Sequence, residues 1–92
     1  MTKEERNAFV KKAAQGMRRE DVVDFLLDEV KRTMSVIGLV GIQRGRDGIS
    51  ETEANIIDAQ IGLMICHKQL CFDRLKCLGY EMKEEDLKIK TE

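Results

Sequence analysis

A chain of 92 residues makes one domain whose core is small for its surface, so completion by oligomerisation is expected. Charged residues make up 36% and hydrophobic residues 42%, with a formal net charge of -1, and no run approaches the roughly 20 apolar residues a bilayer crossing needs. The charged opening Met1-Thr2-Lys3-Glu4-Glu5-Arg6 lacks the apolar block of a secretory signal, so a cytoplasmic location is expected and a membrane partner is not.

The first 19 residues are locally basic: Lys3, Arg6, Lys11, Lys12, Arg18 and Arg19 stand against Glu4 and Glu5. Such an arm suits an acidic surface or phosphates, although no aromatics are interleaved with it, which disfavours a nucleic-acid platform. The absence of proline and the few aromatic residues, Phe9, Phe25, Phe72 and Tyr80, point to an all-α chain. Thr2-x-x-Glu5 fits a capping box for the first helix, and Gly16 can take the left-handed turn that ends it. Ala8, Phe9, Val10, Ala13 and Ala14 supply its apolar side.

The second helix opens near Arg19-Glu20-Asp21 and runs to about Ile42, with Val23, Leu26, Val30, Met34 and Ile37 at spacings of three and four. Val36-Ile37-Gly38-Leu39-Val40-Gly41-Ile42 is continuous enough for a short strand, but no partner strand exists elsewhere, and helix is preferred. Gly38 and Gly41 are then expected at a bend or a close helix approach, each costing about 1 kcal/mol relative to alanine. Gln43-Arg44-Gly45-Arg46-Asp47-Gly48 reads as the turn; without a preceding strand or a Gly-Lys-Ser/Thr ending it is not a P-loop.

Ser50-x-x-Glu53 marks the start of the third helix, which should run to Gly79. It carries two apolar stripes, Ile57, Ile61, Met64, Cys71, Leu75 and Leu78 on one and Ile56, Ala59, Leu63, Cys66 and Leu70 on the other. A helix apolar on two sides requires two partners: the second helix, and either the first helix or another subunit. The charged tail from Glu81, with Met82, Leu87 and Ile89, suits a short docked helix or a frayed end. The whole reads as a single helical domain over 1-92: a basic helix over 1-18, a helical hairpin over 20-79 and a charged tail over 80-92.

Cys66, His67, Cys71 and Cys77 include no close cysteine pair of the kind that clamps structural zinc. His67 and Cys71 share a helical face while Cys66 does not, and the cysteines read as small hydrophobes rather than disulfides or nucleophiles. Arg44 and Arg46 at the turn can hold a phosphate through charge-assisted hydrogen bonds. Asp28 and Arg32, at i,i+4, fit an exposed helical ion pair.

Asp28-Glu29, then Gln43-Arg44-Gly45-Arg46-Asp47, then Glu53-Ala54-Asn55-Ile56-Ile57-Asp58-Ala59-Gln60-Ile61-Gly62-Leu63-Met64 together resemble the MazG-type all-α NTP pyrophosphohydrolases, particularly the short phage-encoded ones. The resemblance covers roughly Leu26 to Leu70 and rests on order and spacing. In that family a Glu-x-x-Glu helix and a Glu-x-x-Asp helix hold Mg²⁺ ions that bridge the nucleotide phosphates and activate water. Carried over, Glu29 and Asp58 match metal ligands, while Arg32 and Asn55 stand where the family has carboxylates. Four negative groups become two carboxylates, an amide and a cation, and an arginine about 6 Å from a cation costs roughly 3 kcal/mol at an effective dielectric near 20.

The resemblance therefore implies a nucleotide- or phosphate-binding protein with weak or absent pyrophosphohydrolase activity and a conditional Mg²⁺. Arg32, Arg44, Arg46 and Asn55 are the expected phosphate or nucleotide donors, Glu29 and Asp58 the residual metal ligands, and no catalytic residue is assigned. A dimer or tetramer in a host cytoplasm is the implied setting. The alternative is a small helical interaction or inhibitor protein, of host-takeover or counter-defence type, that uses its basic first helix on a protein partner. An active hydrolase using rearranged acids and a DNA-binding helix-turn-helix are further readings, the latter disfavoured by Val22, Val23, Phe25, Leu26 and Leu27 at the start of the second helix.

Overall fold

The computed structural model describes residues 1–87 and is all-α. Three helices, α1 (Lys3–Ala14), α2 (Arg19–Arg44) and α3 (Glu51–Cys77), are followed by a 3-10 turn over Glu84–Leu87, and no strand occurs among the described residues. No described helix is long and apolar enough to cross a membrane.

Local chemistry sets each boundary. The Thr2 hydroxyl accepts from the Glu5 backbone N–H at 3.1 Å to open α1, and Gly16 leaves it at φ +82. Asp21 caps the start of α2 from inside the helix, its carboxylate accepting the Arg18 backbone N–H at 3.1 Å. Ser50 caps α3 through the Glu53 backbone N–H at 3.0 Å. The Glu53 carboxylate does not accept the Ser50 backbone N–H, as it would in a full capping box, but pairs with Arg46 at 2.9 Å, because the turn brings that cation within reach. Gly79, at φ +73, lets the chain leave α3.

The continuous apolar run Val36–Ile42 is helical, and α2 continues to Arg44, one half-turn beyond the expected end. Gly38 and Gly41 have open space where a side chain would stand, so neither marks a close approach within the chain. Their neighbours decide the matter: Val40 is the buried residue between them, and the glycines flank it on the outer side.

α2 and α3 form an antiparallel hairpin. Along its seam Val23, Leu26, Val30 and Val40 of α2 meet Ile57, Cys71 and Leu75 of α3, with Thr33 the one buried polar residue among those described. The first of the two expected α3 stripes is thus the core stripe. One side of the hairpin is closed by the chain's own C-terminal part: Leu78, Tyr80 and Met82 pack on the core cluster beside Leu27 of α2 and Phe72 of α3. There the Tyr80 hydroxyl donates to Asp86 at 2.7 Å, and the Lys83 backbone N–H donates to the same oxygen at 2.9 Å. Arg19 Nε also donates to the Leu78 carbonyl at 2.5 Å, tying the start of α2 to the end of α3. The tail is therefore docked through Leu87; Ile89 lies outside the described residues.

The second α3 stripe meets nothing. α1 packs against neither α2 nor α3, and none of its residues is buried. Of the two partners expected for that stripe, the first helix or another subunit, the first helix does not cover it. Its apolar side, Phe9 and Val10 with small alanines, is too thin to offset the polar residues that would be dehydrated alongside it.

Candidate functional site

The sequence nominated six residues as one site, and the structure divides them. Glu29 and Arg32 stand at mid-length on α2, on the side of the hairpin away from the tail. They line an open groove of about 350 Å³ between the two helices, together with Thr33 and Val36 of α2 and Gln60, Leu63, Met64 and His67 of α3. Arg44, Arg46 and Asp58 belong to the turn end. From Arg32 to Arg44 the helix climbs about 18 Å, so the three arginines cannot act on one phosphate.

Glu29 is the sheltered member of the groove, its side chain 15% exposed. His67 Nε2 lies 3.0 Å from one carboxylate oxygen, and Arg32 donates to the other. The hydrogen bond from His67 holds the Glu29 carboxyl below its ordinary range, with Arg32 assisting and partial burial opposing. Arg32 pairs with Glu29 at i,i+3 rather than with Asp28, because Glu29 points into the groove while Asp28 faces outward in a shallow depression beside Phe25. Cys71 Sγ, one turn along α3, is 3.8 Å from His67 Nε2. Burial pushes the Cys71 thiol up, and the Glu29 carboxylate adds to this, so the thiol stays protonated and is no nucleophile.

At the turn end Arg44 grips Asp58 in a two-pronged pair, Nε to Oδ1 at 2.6 Å and Nη2 to Oδ2 at 3.0 Å. Each partner stabilises the charged form of the other: the Arg44 hydrogen bond lowers the Asp58 carboxyl, and Asp58 raises the guanidinium. Arg46 makes a single contact to Glu53 across the start of α3, Nη2 to Oε1 at 2.9 Å. Both pairs are open to solvent and serve first to fasten the turn. Asn55 is exposed on the first turns of α3.

This arrangement does not fit a magnesium site made from Glu29 and Asp58. Glu29 is level with His67, and Asp58 precedes His67 by nine residues, about 13 Å along the helix, whereas two ligands of one cation stand within a few ångströms. Each carboxylate is also already neutralised by a guanidinium. Among the described residues no three His, Cys, Asp or Glu side chains converge as a metal site would require.

His67 and Gln60 escaped the sequence reading as site residues. Both fall on the second α3 stripe's flank, four and three residues from Leu63, and their spacing to Leu63 was the available signal. What periodicity could not supply was the level of α2 they face. Comparison of the chain with protein-family models, with curated proteins and with solved structures returns no match.

Proposed function

We propose that this chain is a MazG-like helical protein that binds a phosphate-bearing nucleotide in the groove between α2 and α3, with little or no hydrolysis. The observation that carries the reading is the composition of the groove: a cation, an imidazole, an amide and a carboxylate (Arg32, His67, Gln60, Glu29) among the apolar side chains Val36, Leu63 and Met64. Small-ligand sites have this makeup, a few converging polar groups on apolar walls, and begin near this volume. Arg32, 68% exposed at its side chain, is free to turn from Glu29 to a phosphate, and His67 can donate to a second oxygen. The apolar lining suits a base.

The paired state of the carboxylates supports binding without turnover. A two-metal hydrolase needs acids free to hold cations, and Glu29 and Asp58 each hold an arginine instead. Arg44, Arg46 and Asn55 contribute to this reading only as a second, turn-end contact for a long polyphosphate.

Titration calorimetry with a panel of NTPs and dNTPs in the presence of a chelator tests the proposal. Binding weakened about tenfold or more by Arg32→Ala, and little changed by Arg46→Ala, is the expected result; no binding at millimolar nucleotide sinks it. Pyrophosphate release with Mg²⁺ or Mn²⁺ that disappears in Asp58→Ala would instead establish an active hydrolase and overturn the metal-free part.

A second reading is favoured by one observation: α1, basic and wholly exposed, touches no other element. A chain that acts by binding another protein would use it, and Lys11→Glu with Lys12→Glu would then abolish capture of that partner while leaving nucleotide binding intact.

A further inference from the structure

The basic helix α1 stands apart from the hairpin, yet only Gln15–Arg18 separate it from α2. Gly16, at φ +82, lies in that link, with no atom within 4 Å of where its side chain would stand. Links of two to five residues join antiparallel helix pairs, so the connection allows α1 to fold back along α2. What it would meet there is written on both helices. At 100° per residue, Arg6, Phe9 and Ala13 fall within about 60° of one another on α1, and Asp21, Phe25 and Asp28 do the same on α2.

The two rows match level by level. From Ala13 back to Phe9 and Arg6 the steps are four residues and then three, and from Asp21 on to Phe25 and Asp28 they are the same. Folded back, α1 sets Phe9 on Phe25 and Arg6 on Asp28, with Ala13 beside Asp21, whose carboxylate Arg18 already engages. This register leaves the end of α1 and the start of α2 within one residue, about 1.5 Å, of level, as a short link demands. Lys12, on the outer flank of α1, falls beside Asp24. Phe9 is 64% exposed and Phe25 57%, whereas Phe72 packs on the core. Neither Arg6 nor Asp28 has an ion-pair partner among the described residues.

We propose that α1 is a lid that closes on this edge of α2. The edge borders the groove: Phe25 and Asp28 share a depression of about 320 Å³ with Glu29 and Arg32, and the latter two also line the groove. Closed, α1 covers the depression, and in an antiparallel pair of right-handed helices its Lys3 and Val10 lie on the flank toward the groove. The lid then narrows the entrance and brings a cation to its mouth. The contact is one aromatic pair wide with charges on either side, too narrow to hold α1 shut, and the structure shows the open arrangement. Tethering makes closure recur without a large interface, because the short link keeps the two rows at an effective concentration of about millimolar. Control of a ligand by the lid rests on the groove reading; the contact between α1 and α2 does not, and its test contains no nucleotide.

Disulfide trapping in the full chain is the experiment. The exposed thiols Cys66 and Cys77 are replaced by serine, buried Cys71 is kept, and the pair Arg6→Cys with Asp28→Cys is oxidised by diamide at low salt. Level, facing positions on packed helices come within disulfide reach. The pair should therefore close within one chain at least about tenfold faster than Ala8→Cys with Asp28→Cys, since Ala8 lies about 160° round α1 from Arg6. Equal rates for the two pairs overturn the proposal, and so does a product of twice the chain mass, which would place the contact between chains. A second trap, Phe9→Cys with Phe25→Cys, keeps Arg6 and Asp28 and stands in if circular dichroism shows that the first has lost its helices. Asp28→Arg should slow this trap about threefold, and Arg6→Glu added to it should restore the rate. A rate indifferent to Asp28→Arg overturns the lid.

Discussion

Leu75 and Leu63 lie on the same helix, three turns apart, and their surroundings are opposite. Leu75 is fully buried against Val23 and Leu26 of α2, while Leu63 is 73% exposed beside the groove. Both are leucines at helical spacing from other apolar residues, and nothing in their immediate sequence separates them. The difference is one of partners: the Leu75 stripe packs on α2 of the same chain, and the Leu63 stripe, at the edge of the groove, is covered by nothing in residues 1–87. Periodicity reports how many faces a helix must bury, and the fold of one chain reports how many it can.

The largest effect follows from that contrast. Leu75→Ala should cost about 3–4 kcal/mol in urea unfolding at any protein concentration, because it opens a cavity in a closed seam. Leu63→Ala should change stability by no more than about 0.5 kcal/mol, since it empties no packed site. Equal losses for the two variants would mean that Leu63 is packed within one chain.

A smaller effect separates the two capped helices. Ser50→Ala removes the cap of α3, which is part of the hairpin, and should lower global stability by about 1 kcal/mol. Thr2→Ala removes the equivalent bond from α1, yet α1 makes no tertiary contact, so the hairpin's unfolding midpoint should not move. A lone helix of 12 residues is marginal in water, and α1 amides should therefore exchange with solvent far faster than those of α2 and α3. Slow exchange across Lys3–Ala14 would reveal that something covers this helix.

The elements themselves were legible because each boundary has a local cause. Thr2, Ser50, Gly16 and Gly79 act within a turn of their own position, and the spacing of Val23, Leu26 and Val30 identifies the seam without knowledge of its partner. The site was legible only in part, because it depends on register between helices. Glu29 and Arg32 were nominated from order along α2, and they do share the groove. Arg44, Arg46 and Asp58 were nominated from the same order, but 12 residues of helix separate Arg44 from Arg32, and each is taken up by a neighbour that the turn brings close. The pairing of Glu29 with His67, 38 residues on, is a property of how α3 lies against α2 and has no signature in either segment alone.

The Glu29 pair, beside Leu63 in the groove, gives the smallest prediction. Its carboxyl is held below the ordinary glutamate value of about 4.3, first by the His67 hydrogen bond and then by Arg32. A lowered folded value means that the stabilisation is complete above the unfolded value and is lost as pH falls through the folded one. The advantage of the native chain over Glu29→Gln should therefore be present near pH 6 and shrink below about pH 4. Asp58, lowered by Arg44, and Asp86, lowered by the Lys83 backbone N–H and Tyr80, titrate alike in both proteins, so the difference between them isolates Glu29. In a single chain the groove is open to water, and the effect should be slight. A difference that persists unchanged below about pH 3 would show that the Glu29 carboxyl is not held down by His67 and Arg32.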